Sequence, residues 1–138
     1  MGQRIVTTGA VAGWCLVLSL GAAAEAGQGT SRAAAAKLKN PVATSAASVT
    51  AGQQVYQKQC RMCHGAAGAA ETPMAKKMNA SDLTDATWAF GATDGEIFTV
   101  IQDGAGAGSK MTAFKGKVTD QDTWHLVNYI RSLAAAKK

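Results

Sequence analysis

Cys60, Arg61, Met62, Cys63 and His64 follow one another as C-x-x-C-H. Two thiols three positions apart can reach the two vinyl groups of one haem, and the adjacent imidazole then faces the iron from below the ring. The spacing predicts covalent attachment of a single c-type haem through Cys60 and Cys63, with His64 as the proximal ligand. Two other chemistries use the same residue types. A thioredoxin-like redox pair also carries C-x-x-C, but it belongs with a βαβ pattern, and none runs through this chain. A zinc site needs four ligands; with Cys60, Cys63 and His64 used, His125 is left, at no recognised spacing.

The elements that must position this pentapeptide are helical in pattern. Thr50-Ala51-Gly52-Gln53 reads as a capping box, with Thr50 as N-cap, opening a helix that runs into Cys60. Gly52 and Tyr56 lie four apart and share a face, where a glycine permits close approach of a second helix. Gly65 and Gly68 release the chain into a loop. Near the other end, Thr119 is placed to cap a helix whose first turn carries Asp120 and Asp122. Trp124, Val127, Ile130 and Leu133 form its apolar stripe, with Tyr129 beside it. Such a helix can cross the one that precedes the pentapeptide.

The rest of the chain frames this domain. Of its 138 residues 47% are hydrophobic, but 29 are Ala, which adds little to a core. A domain with few large apolar residues gains from a flat apolar cofactor to fold around. Three Cys and two Pro exclude a disulfide-dense scaffold and a collagen. A net charge of +5 without a Lys/Arg run gives no reason to expect nucleic-acid binding. Arg4, the uncharged stretch from Ile5 to Leu20 and the small residues after it have the make-up of a signal peptide over 1–26, cleaved after Ala24 or Ala26. Cys15 leaves with it. Export places the protein in the periplasm. Residues 27–49 carry few large apolar side chains and read as a flexible, solvated linker, leaving 50–138 as the folded domain.

Over about residues 50 to 135 the sequence resembles the class I, small single-haem bacterial cytochromes c. The likeness is carried in order by Ala51-Gly52, Tyr56, Cys60 to Gly65, Asp82-Leu83-Thr84-Asp85, Trp88, Gly91, Ile97, Ile101, Gly104, Met111-Thr112-Ala113-Phe114, and Trp124 to Leu133. It implies an all-α cytochrome c fold, helices packed around one covalent haem. The chain departs from the family at Thr112, where a proline usually stands; a proline would stiffen the loop by fixing φ.

The resemblance also points to Met111 as the sixth iron ligand, delivered by the glycine-rich loop Gly104 to Gly108. Met78, after Pro73, is the runner-up. Met62 lies inside the attachment motif, too close to swing to the other face, and His125 reads as a surface residue of the closing helix. The family has a proline whose carbonyl holds the Nδ1–H of the proximal histidine, and Pro73 is the candidate here, against a plain helix-starting proline. Trp88 is placed either to reach a haem propionate through its indole N–H or simply to fill the core. Leu83, Ile97, Ile101 and Phe114 are expected to wall the haem pocket.

A Met-ligated iron has a raised potential and a filled sixth site. The expectation is a monomeric, non-enzymatic periplasmic carrier of single electrons between redox partner proteins, meeting the membrane only through them. The alternatives are a haem enzyme or gas sensor with an open sixth site, or the haem subunit of a larger dehydrogenase or oxidase.

Overall fold

The computed structural model describes residues 32–85 and 88–136. The expected signal peptide and Cys15 lie outside them. Among the described residues, helical backbone over 32–35 precedes the helices α1 (Ala46–Gln59), α2 (Arg61–His64), α3 (Pro73–Met78), α4 (Asp94–Asp103) and α5 (Asp120–Ala136). No strand occurs among the described residues; Lys115 and Val118 make an isolated bridge. The all-α expectation holds.

Helices α1 and α5 form the frame. They cross where Gly52 is buried on α1. A Cβ at that position would overlap the His125 carbonyl oxygen of α5 and crowd Tyr129 Cβ, so the backbone contact requires glycine. One turn on, Tyr56 is fully buried against Tyr129, with ring centroids 5.2 Å apart. The predicted stripe of α5 faces inward through Trp124, Val127 and Ile130, joined by Leu126, which lies off the i, i+3 spacing. Phe98 of α4 stacks on Trp124 with centroids 4.1 Å apart.

The ends of these helices are set by local chemistry. Thr119 caps α5 as expected, accepting the Asp122 N–H at 3.1 Å. Helix α4 opens on a capping box. Thr93 Oγ accepts the Glu96 N–H, and the Glu96 carboxylate accepts the Thr93 N–H at 2.9 Å. The T-x-x-E signature stands in the sequence, although only the wall residues of α4 draw notice there. Helix α4 is tied to α5 by the Arg131–Asp94 pair at 2.9 Å and by the Arg131 guanidinium on the Ala92 carbonyl.

The expected boundary at residue 50 is displaced. Helix α1 begins at Ala46 with Ser45 as its N-cap, and Thr50 is interior, its hydroxyl returned to the Ala46 carbonyl at 2.9 Å. Residues 32–45, expected as a solvated linker, form a strap laid on the domain. Ala35 is 4% exposed. The strap backbone passes so close to α4 that a Cβ on Gly95 would overlap the Ala35 carbonyl oxygen. Asn128 of α5 pins the strap: its Oδ1 accepts from Asn40 Nδ2 at 2.9 Å and Thr44 Oγ1 at 3.2 Å. Its Nδ2 donates to the Val42 carbonyl and to Ser48 Oγ. The strap is held by backbone approach, by amides and by Val42 packed against the core, and a count of large apolar residues registers only the last.

Candidate functional site

Between α2, α3, α4, α5 and the loop after α4 lies an open-mouthed cleft with mostly apolar walls. Cys60, Cys63, His64 and Met111 all line it, and so does Met78. The five residue positions named from sequence as ligands or runner-up therefore meet in one place. The expected wall residues Leu83, Ile97, Ile101 and Phe114 are there as well, with Leu126 and Ile130 from α5.

The pentapeptide reaches the cleft because α1 stops at Gln59 and the single turn α2 restarts at Arg61, with Cys60 between them in the αR region. One helical turn places Cys60 and Cys63 on neighbouring rungs, the His64 N–H donating back to the Cys60 carbonyl at 3.0 Å. Gly65 ends the turn at φ 83°, and its carbonyl accepts from Tyr56 Oη at 2.7 Å. The buried tyrosine of α1 thus anchors the exit of the motif. No disulfide joins Cys60 and Cys63. Burial, with Cys63 next to it, pushes the Cys60 thiol up to about 12; burial likewise raises Tyr56 above its ordinary value.

His64 Nδ1 lies 3.0 Å from the Ser81 carbonyl oxygen. A carbonyl only accepts, so Nδ1 carries a proton; in the neutral ring Nε2 is then the nitrogen with the lone pair a metal ligand needs. The partner is Ser81 and not Pro73. Pro73 sits in the first turn of α3 behind the Thr72 cap, the plain helix-starting role. The loop from 79 to 85 supplies the carbonyl because Asn79, at φ 51°, turns the chain back at the end of α3. No side-chain signal marks Ser81, since the interaction uses its backbone.

Trp88 also resolves differently from its propionate reading. Its Nε1–H donates to the Asp82 carbonyl at 2.8 Å, so the indole is held by the same loop that holds His64, while its ring lines the cleft. His125 is half-buried and does not line the cleft; its Nδ1 shares a 2.9 Å hydrogen bond with Ser48 Oγ in the first turn of α1. It is a frame residue, not the surface residue expected.

Two thiols and one correctly protonated imidazole open onto a cleft with apolar walls, which is the donor set and shape a covalently bound haem requires. Cys60 and Cys63 would carry the ring, His64 would hold the iron, and Leu83, Ile97, Ile101 and Phe114 would cover its faces.

Residues 47–130, more than half of the chain, match the family model for cytochrome c oxidase, cbb3-type, subunit III. A stretch of 62 residues is 44% identical to the cbb3-type cytochrome c oxidase subunit CcoP of Rhodobacter capsulatus. It covers 44% of this chain and 19% of that protein, so the match spans about a fifth of the relative's length. Among solved structures the fold is similar to a chain of the Kuenenia stuttgartiensis reducing HAO-like protein complex Kustc0457/Kustc0458. The TM-score is 0.61 at 22% identity, over 71% of this chain and 48% of that one, a likeness of fold.

Proposed function

The chain belongs to the family of cytochrome c oxidase, cbb3-type, subunit III, and its cofactor is a c-type haem; from that premise we propose that it passes single electrons through a haem iron held by His64 and Met111, in the periplasm, without turning over a substrate. The observation that carries this is the common cleft. His64 offers Nε2 to it, and Met111 enters it from a loop that begins 40 residues later, at Gly104. A thioether as sixth ligand closes the iron to small molecules and leaves outer-sphere electron transfer as its chemistry. The chain's own part is to fix the imidazole through Ser81, to keep water from the ring faces with aliphatic walls, and to leave the cleft mouth open toward a partner.

The absorption spectrum of the purified holoprotein tests this. The oxidised form should show the weak far-red band of iron–thioether coordination, and the reduced form should bind carbon monoxide slowly. A missing band with fast carbon monoxide binding would mean an open sixth site, and with it a haem enzyme or gas sensor.

The likeness to an oxidase subunit supports a second reading of the same chemistry, in which the domain relays electrons inside a larger complex. Size-exclusion chromatography of the native protein, extracted in mild detergent and followed at the haem absorption, separates them: a small peak for a free carrier, a large one for a subunit.

A further inference from the structure

The loop that carries Met111 lacks the proline at 112, and its restraint must come from elsewhere. Four contacts converge on it. The Met111 N–H donates to Ser109 Oγ at 3.1 Å, and the Met111 carbonyl accepts the Ala105 N–H at 3.3 Å, so the backbone on both sides of the methionine is engaged. The Phe114 N–H donates to the Ile101 carbonyl at 3.0 Å, which shuts the loop at its base. Lys110 Nζ donates to the Lys77 carbonyl at 2.7 Å, which spans from the loop to the end of α3. That last acceptor is available because the turn closing α3 directs the Asn79 N–H to the Ala75 and Lys76 carbonyls. A lysine on a carbonyl at a helix C-terminus is also favoured by the helix dipole.

Gly104 permits the closure. It lies at φ 84° and ψ 169°, a region open to glycine alone, and a Cβ there would stand 3.0 Å from the Met111 carbonyl oxygen and 3.2 Å from the Ala113 nitrogen. The loop can therefore fold flat on its own base only with glycine at that corner.

We propose that Ser109 and Lys110 are positioning residues for Met111: the serine hydroxyl holds its backbone N–H, the lysine latches the loop to α3, and together they supply the restraint that a proline at 112 would otherwise provide. The proposal rests on Met111 being the sixth ligand. Neither residue touches the iron; each sets how often the thioether leaves it.

The test uses the full holoprotein and the variants Ser109→Ala, Lys110→Met and the two combined, with Ser109→Thr and Lys110→Arg as conservative replacements. Three quantities are read: the far-red band, the rate of carbon monoxide binding to the reduced form, and hydrogen exchange at the Ala105 and Met111 amides. Losing one hydrogen bond should raise the open fraction, and so the carbon monoxide rate, by about fivefold. The double variant should approach the product of the two, and both amides should exchange faster. Ser109→Thr and Lys110→Arg should restore parental rates. A purely structural role would lower the melting temperature and leave the rates in place. Unchanged rates and exchange in the double variant, with the parental band intact, overturn the positioning role and spare the ligand assignment. A parent without the band, or Met111→Ala retaining it, overturns the ligand assignment and the positioning role with it.

Discussion

At the scale of single residues the cleft holds two thioethers, Met78 and Met111, and two thiols. Met111→Ala should remove the far-red band and let carbon monoxide or cyanide bind quickly. Met78→Ala should keep the band and cost about 2–5 kcal/mol at most, as for truncation of a packed apolar side chain. Absorption spectra and denaturant melts of the two variants decide between the methionines; a band that survives only in Met111→Ala exchanges their roles. Cys60→Ala or Cys63→Ala should each leave one thioether bond to the haem, and the double replacement none. A denaturing gel stained for haem reads this directly, and haem running free of the unmodified chain would refute covalent attachment.

At the scale of elements, the strap and the helix caps set how well the frame holds. Removing residues 32–44 takes away three of the four partners of Asn128 and the cover of Gly95. Asn40→Ala alone loses its donors to Asn128 Oδ1 and to the Trp124 carbonyl. It should cost about 1 kcal/mol for each hydrogen bond lost, since Asn128 Oδ1 keeps Thr44 as a donor, a drop of several degrees in melting temperature at unchanged visible spectrum. Truncation without loss of stability would return the strap to a tether. Gly52→Ala meets backbone of α5 with no flexible group to yield, and should destabilise more than Asn40→Ala. The α4 cap carries a pH signature. Hydrogen bonds from Thr93 hold the Glu96 carboxyl below its usual range. A depressed folded value means stability that is present above the unfolded value and is lost as pH falls through the folded one. Glu96→Gln should therefore flatten the acid side of the stability profile, read as melting temperature against pH.

At the scale of the whole molecule the question is where an electron partner docks. From Thr50 onward ten Lys/Arg face eight Asp/Glu, so the net charge of the domain is small. Any electrostatic steering would therefore have to come from the distribution of charge. Lys110 lines the cleft itself, with Lys115 and Lys117 on the same loop and Lys58 and Arg61 bracketing the end of α1. Asp94, Asp120 and Asp122 lie in the first turns of α4 and α5. If these cations act together at the cleft mouth, they should raise the encounter rate with an acidic partner, an effect that salt would screen over roughly 8 Å at physiological strength. Salt should slow electron exchange with an anionic reagent and speed it with a cationic one, and Lys115→Glu with Lys117→Glu should weaken both trends. Rates indifferent to ionic strength would leave a neutral docking edge.

What was legible in the sequence is what depends on neighbours along the chain. The attachment motif is a contiguous pentapeptide, a cap needs its residues three apart, and the α5 stripe follows the helix period, so Cys60, Cys63, His64, Thr119 and Trp124 could be placed without coordinates. The close approach at Gly52 followed from one glycine four residues before a tyrosine. Tertiary structure decided everything that passes through backbone atoms or between distant segments. The carbonyl behind His64 belongs to Ser81, whose side chain has no part in the bond. Trp88 is satisfied by the Asp82 carbonyl. The strap is fixed by Asn128, an amide 88 residues from Asn40, whose four hydrogen bonds form only when α5 and residues 40–48 are side by side. Every residue carries the same carbonyl and, proline apart, the same N–H, so sequence cannot say which of them will be used; only the path of the chain can.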